Sequence, residues 1–302
     1  MKKFVVSDLH GNGNIYDAII GYLENLKKET NEEVTLYING DLIDRGLDSA
    51  RILVDVKRRI ENKIGFPIVY LAGNHELSMY QASLEIQVRG VWPIGTEWMW
   101  SHGGSITAYG LEDLVTLDEE EEIVSFISNL KIYEKLIETL DHKRIVLVHA
   151  KCPRVVLDDC PLSIKDNNKD VENYLWIRKY DPWIPFRQVI GNPNYFTIIG
   201  HTPVDNKLGY EYDRSENVLN IDGGCAAWAK GYTNYNHSPL VEIDSQNNRL
   251  VVLTFNNSNE IIYGTYFQHG DIIPMNEFDL NERRKYLEHN VVTKKLVLYD
   301  VE

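Results

Sequence analysis

Residues 34–46 read Val-Thr-Leu-Tyr-Ile-Asn-Gly-Asp-Leu-Ile-Asp-Arg-Gly, an apolar run that stops abruptly at two acids, an arginine and two glycines. Val34 to Ile38 is short, β-branched and aromatic, which suits a buried strand. The polar residues that follow belong at its carboxyl end, because buried charges are costly unless paired or bound to metal. Gly40 lets the backbone approach a neighbour or a bound ion with no Cβ in the way.

The same design lies on both sides of this segment. Phe4 to Val6 is a strand that runs into Asp8-Leu9-His10-Gly11, and Pro67 to Ala72 is one that runs into Gly73-Asn74-His75-Glu76. Ile15, Ala18, Ile19, Tyr22, Leu23 and Leu26 share one face of a helix, a second apolar-striped helix spans Ala50 to Ile60, and a third starts at His75. Repeated strand–helix order predicts an α/β core in layers. Ile145 to Val148 then ends at His149, and Tyr195 to Ile199 at Gly200-His201. Open α/β sheets bind ligands at the carboxyl ends of their strands, so these distant segments can meet at one site.

The rest of the chain is less regular. Thr116-Leu-Asp-Glu119 is a capping box, and Ile123, Phe126, Ile127 and Leu130 continue it as a helix expected to run toward Leu140. Residues 151–194, rich in Pro, Asp and Asn, predict an irregular excursion with short helices. Val218–Ile221, Leu240–Ile243 and Arg249–Phe255 are strands, the last two joined as a hairpin by Asn247-Asn248. A second half so rich in strands predicts a second sheet packed on the first. With no repeat, linker or low-complexity segment, residues 1–302 are expected to form a single domain with an insertion near 151–194 and a β-rich C-terminal part.

Several of the strand-end residues are metal-ligand types. Asp8 and His10, two apart, project to the same side. A carboxylate can bridge two cations, a role open to Asp41, and Asn74 offers a neutral oxygen. His149 and His201 would complete a mixed oxygen and nitrogen shell suited to manganese, iron or zinc. Arg45 presents a planar fork matched to phosphate oxygens. His75 could give a proton to a leaving alkoxide. Each residue also has an ordinary reading, as a turn, a surface ion pair, a cap or a structural histidine, so the set carries more weight than its members.

Composition narrows the partners. A net charge of −14 opposes nucleic acid and anionic membranes, which rely on basic surfaces. The run Asp118-Glu119-Glu120-Glu121-Glu122 could attract basic peptides, but such a run is usually a solvated helix start. Three cysteines without a CxxC pair suit a reducing compartment, and neither a signal-peptide core nor a membrane-length apolar run is present. A cytoplasmic location is expected.

Asp-x-His-Gly, Gly-Asp-x-x-Asp-Arg-Gly, Gly-Asn-His-Glu, a strand-end His and Gly-His-Thr-Pro occur here in the order used by the phosphoprotein phosphatases. Over roughly Val5 to Gly224 the chain resembles that calcineurin-like metallophosphoesterase family, above all its compact bacterial and phage members, which also resemble diadenosine tetraphosphate hydrolases. The resemblance implies a metallophosphoesterase-type β-sandwich, two mixed sheets flanked by helices in four αββα layers. It implies two divalent metal ions, manganese first, with Asp8, His10 and Asp41 holding one and Asp41, Asn74, His149 and His201 the other. It also implies that His75 is the general acid and Asp44 its orienting partner, and that Arg45 and Arg178, the latter in Trp176-Ile-Arg178, bind phosphate.

One departure stands out: His102 in Ser101-His-Gly-Gly104 replaces the Asn of the compact relatives and rivals His149 as a ligand. His149 is preferred because it ends a strand, which leaves His102 to line the cleft or to pack. His142, His237, His269 and His289 are assigned to the surface or to packing. The substrate implied is a phosphomonoester, on a phosphoserine or phosphothreonine protein or a small ester. A dinucleoside polyphosphate is the alternative, with Trp92, Trp98, Trp100 and the segment Tyr180 to Phe186 available to stack on a nucleoside. An inactive phosphate- or partner-binding module is a third reading, opposed by the presence of every expected ligand. Oligomeric state is not legible.

Overall fold

A computed structural model describes residues 1–89, 96–166, 169–180, 186–228 and 237–287. Trp92, His289 and residues 181–185 of the aromatic segment lie outside the described residues. The first half runs β1 (Lys2–Val6), α1 (Gly13–Thr30), β2 (Val34–Asn39), α2 (Ser49–Glu61), β3 (Ile68–Leu71), α3 (Asn74–Arg89), α4 (Glu97–Trp100), α5 (Ser105–Leu114), α6 (Leu117–Ser128), β4 (Tyr133–Leu140) and β5 (Lys143–Val148). The second runs α7 (Lys169–Trp176), β6 (Tyr195–Ile199), β7 (Glu211–Asp213), β8 (Val218–Asn220), α8 (Cys225–Trp228), β9 (His237–Asp244), β10 (Arg249–Asn256), β11 (Ile261–Gln268), β12 (Asp271–Pro274) and α9 (Glu277–Arg284).

Two mixed sheets, flanked by helices, carry these strands. The larger has the order β12-β11-β10-β9-β1-β2-β3 and the smaller β4-β5-β6-β8-β7. Alternation along the strands divides the core in two. Val5, Tyr37 and Leu71 pack between the sheets against Ile145, Leu147, Phe196 and Ile198. Phe4, Val6, Leu36 and Ile38 point the other way, into a core shared with Ile15, Ile19 and Leu23 of α1 and Ile52, Leu53 and Val56 of α2. Local signals set the helix ends: the Asn12 side chain accepts the Ile15 N–H, Asn31 closes α1 at φ 56°, and Thr116 and Glu119 form the expected capping box.

A second sheet packs on the first as expected, and one expectation is overturned. The helix beginning at Leu117 ends at Ser128, and Tyr133–Leu140 is a strand paired antiparallel with β5. Its buried residues Tyr133, Leu136 and Leu140 fall at helical intervals because the pairing slips between Lys135 and Thr139. An irregularity of this kind shifts which face a side chain takes, so a strand acquires the spacing of a helix. The strands of the last quarter, β9 to β12, do not build the second sheet but extend the first, since β9 pairs antiparallel with β1.

Asn39, at the end of β2 and fully buried, stitches the sheets together. Its Nδ2 donates to the Val148 carbonyl at 3.0 Å and the Ile198 carbonyl at 3.3 Å, both in the smaller sheet. Its own carbonyl accepts from Ser7 Oγ at 2.9 Å and from His149 Nδ1 at 3.0 Å. Asn39→Ala removes both side-chain bonds, and stability is expected to fall by about 2 kcal/mol, measured as a lower urea midpoint at unchanged m value.

Candidate metal centre

All ten singled-out residues gather at the carboxyl ends of β1, β2, β3, β5 and β6 and in the Trp176-Ile-Arg178 stretch beside them. Asp8, His10, Asp41, Asp44, Asn74, His75, His149 and His201 are buried, whereas Arg45 and Arg178 are half-buried and line the cleft above them. The loops after β1 and β2 continue the strand pairing beyond the sheet, with Asp8 N–H donating to Gly40 O at 3.1 Å and His10 N–H to Asp41 O at 3.0 Å.

The backbone is strained here. Asp8, His10, Asp41, Asp44, Arg45 and His201 all have positive φ, from 43° to 72°. Such conformations are rare outside glycine, and their clustering is a mark of functional sites. Glycines permit the close approach: a Cβ on Gly40 (φ +84°) would lie 2.7 Å from the Gly73 backbone, and one on Gly200 would lie 1.9 Å from Asp8 Oδ2.

The histidines reveal what the site is built to hold. His10 Nδ1 faces the Ile43 carbonyl, His149 Nδ1 the Asn39 carbonyl and His201 Nε2 the Trp176 carbonyl, each at 3.0 Å. A carbonyl only accepts, so these nitrogens carry the proton and the other nitrogen of each neutral ring turns a lone pair inward. Those lone pairs meet acceptors: Asn74 Oδ1 lies 3.0 Å from His149 Nε2 and 2.8 Å from His201 Nδ1. Asp41 Oδ1 lies 3.3 Å from His149 Nε2, and Oδ2 lies 3.5 Å from His10 Nε2. Lone pairs crowded in this way repel unless a cation sits among them, so the donor set fits metal ions.

Positive charge already takes that place. Arg45 directs NH1 to His10 Nε2 at 3.3 Å and NH2 to His75 Nε2 at 2.9 Å. Burial, then the charge of Arg45, holds His10 well below the ordinary imidazole pKa. Burial lowers the pKa of His149, but the carboxylates of Asp41 and Asp8 outweigh it and raise the ring to about 10, a sign that its inward nitrogen faces concentrated negative charge. Two groups of residues able to hold a metal ion share Asp41 among the described residues, one with His10 and His75 and one with His149 and His201. Asp8 belongs to neither. Its carboxylate accepts the His201 N–H at 3.0 Å and lies against Ser7 Oγ at 2.5 Å, and burial raises its pKa well above the usual range.

Asp44 accepts three bonds in full burial: from His75 Nδ1 at 2.7 Å, Trp98 Nε1 at 2.8 Å and Thr107 Oγ1 at 2.6 Å. Arg178 NH1 donates to the His201 carbonyl at 2.8 Å and to Thr202 Oγ1 at 3.2 Å. His102 lines the cleft, its ring 5.5 Å from that of His75. His142 and His269 are exposed, away from these residues, and Asp141 holds His269 at 2.8 Å. Trp98 is buried, Trp100 exposed, and Glu122 at the foot of the acidic run pairs with Lys57 at 3.2 Å.

Sequence reading missed several members. Glu76 stands in Gly-Asn-His-Glu, yet its role is visible only in three dimensions: Oε2 accepts from Asp41 N and Gly73 N, and Oε1 from Leu42 N and the Tyr70 hydroxyl, at 2.7 to 3.0 Å. Asp222 also lines the cleft and carries the strand-end signal used elsewhere, since it follows Val218 to Ile221; burial raises it to about 6. Thr107 and Trp98 carry no local signal. Thr107→Val keeps the shape and removes a donor from the buried Asp44 carboxylate, with an expected loss of about 2 kcal/mol in denaturant unfolding.

Known proteins resemble this one across most of its length. A sequence profile of the family described as calcineurin-like phosphoesterase matches residues 1–271. An asymmetrical bis(5'-nucleosyl)-tetraphosphatase of Bacillus velezensis is 28% identical over 159 residues, 50% of this chain and 56% of its own. A symmetrical bis(5'-nucleosyl)-tetraphosphatase of Erwinia tasmaniensis is 23% identical over 150 residues, 50% of this chain and 44% of its own. The chain thus spans about half the length of the curated relatives it matches. A cold-active protein tyrosine phosphatase shares the fold with a TM-score of 0.53 at 15% identity, over 90% of this chain and 80% of that one.

Proposed function

The chain belongs to the calcineurin-like phosphoesterase family, and from that premise we propose that it hydrolyses phosphate monoesters, protein phosphoserine and phosphothreonine among them, with a pair of divalent ions. The observation that carries this reading is the sharing of Asp41 by two groups of buried donors. Asp8, His10 and Asp41 hold one ion, and Asp41, Asn74, His149 and His201 hold the other. A mixed oxygen and imidazole set suits manganese, with iron or zinc as alternatives. Bound ions of this kind supply a water acidic enough to attack phosphorus near neutral pH.

The chain's own groups do the rest. Arg45 and Arg178 line the cleft and hold the phosphoryl oxygens, offsetting the charge that grows on them. Once Arg45 turns to the phosphoryl group, His75 Nε2 is released to carry the proton to the leaving oxygen. Asp44 holds the Nδ1 proton and supports the charged ring. Three unpaired cysteines agree with a reducing, cytoplasmic setting. No helix among the described residues is long and apolar enough to cross a membrane.

A dinucleoside polyphosphatase is the second reading, favoured by the activity named for the curated relatives. An inactive binding module is disfavoured because His10, Asp41, Asn74, His201 and His75 line one cleft together with Arg45 and Arg178. With manganese, orthophosphate release from a phosphoserine peptide and no cleavage of a dinucleoside tetraphosphate is expected, whereas conversion of the tetraphosphate into two nucleotides, with no orthophosphate from the peptide, selects the second reading. His75→Asn is expected to keep both ions by elemental analysis while kcat falls about 10²- to 10⁴-fold. Asp41→Asn is expected to lose them. Normal turnover in metal-loaded His75→Asn removes His75 from the mechanism.

A further inference from the structure

Six rings follow one another around the site. Centroid distances are 5.1 Å from His149 to His201, 6.2 Å to Trp176, 5.2 Å to His102, 5.5 Å to His75 and 4.7 Å to His10. Ion binding and proton transfer occupy four of them and leave Trp176 and His102, the neighbours that close the arc, without a task.

Both line the cleft, and neither belongs to the two groups of candidate metal ligands among the described residues. His102 Nδ1 is buried with no hydrogen-bond partner among the described residues, and Nε2 lies 3.9 Å from Glu97 Oε1. Burial, then the neighbouring His75, lowers its pKa and so favours the uncharged ring. Trp176 is 37% exposed at the end of α7, and its backbone carbonyl, not its indole, accepts the His201 proton. What the pair offers a substrate is aromatic surface.

The cleft has a cavity of about 70 Å³, room for about five waters, which a phosphoryl group would fill. The organic part of the substrate must then lie at the mouth. Its first atoms past the ester oxygen pass His75, where His102 and Trp176 form the wall. An alkyl chain gains little there, whereas a planar ring joined to the ester oxygen can stack or pack edge to face.

We propose that His102 and Trp176 form an aromatic wall that selects monoesters whose leaving group is a planar ring, as in phosphotyrosine. This rests on the phosphomonoesterase reading and adds the leaving group to it. The test uses the full, manganese-loaded chain with phosphotyrosine and phosphoserine peptides of the same flanking sequence. Dividing the ratio of kcat/KM values in each variant by that of the unaltered protein cancels the greater intrinsic reactivity of the aryl ester.

The ratio is expected to fall about tenfold in Trp176→Leu and in His102→Asn and to stay within about twofold in Trp176→Phe, which keeps a ring face. Metal content and circular dichroism establish that each variant is folded and loaded. Turnover of both peptides with an unchanged ratio in the Leu and Asn variants overturns the wall alone. An equal fall in Trp176→Phe also overturns it, because the loss would then follow disturbance rather than aromaticity. No turnover of either peptide by the unaltered protein overturns the hydrolase reading, and the wall with it.

Discussion

Lone pairs that face one another around the Asp41 carboxylate are the constraint on which the molecule is built. Burying a carboxylate beside imidazoles from three different segments is unfavourable unless positive charge compensates it. Every neighbouring feature keeps that arrangement in register. Backbone carbonyls fix the ring protons outward, Glu76 ties the Asp41 loop to the end of β3, and Asn39 holds the two sheets at the separation the donors require.

The same constraint explains why the site is rigid but locally strained. Six positive-φ residues would be unfavourable by about 1–3 kcal/mol each in isolation. They persist because the surrounding sheets over-determine them: the loops after β1 and β2 hydrogen-bond to each other, and the strands below are buried on both faces. Function is concentrated where local preference gives way, and the long apolar strands supply the stability that offsets it.

Much of the frame was legible because strand-end chemistry has a sharp signature. An apolar run such as Ile145–Val148 that stops at a histidine reveals both a buried strand and a polar end, whatever its partner. Residues that act through space carry no such mark: Thr107 and Trp98 reach Asp44 from helices whose spacing gives no hint of it. Glu76 was visible in its motif, but its four hydrogen bonds depend on a neighbouring loop. The strand at Tyr133–Leu140 was misread because a slipped pairing copied the helical interval. The two sheets were legible, but the membership of each strand was not. Periodicity shows that β9 and β10 are strands but not which free edge they join.

That edge has a further consequence. β1 occupies the interior of the larger sheet, with β2 on one side and β9 on the other, and Lys3 pairs with Ile243 across almost the whole chain. β1 can pair with β2 as soon as β2 has been made, yet its other flank stays open until β9 follows, Ile243 lying 240 positions beyond Lys3. Closing so long a loop is slow, and an unpaired strand edge invites association with other chains meanwhile. That flank of β1 is therefore closed only after β2 to β8 have been made, and nascent chains that stall before β9 would present it unpaired.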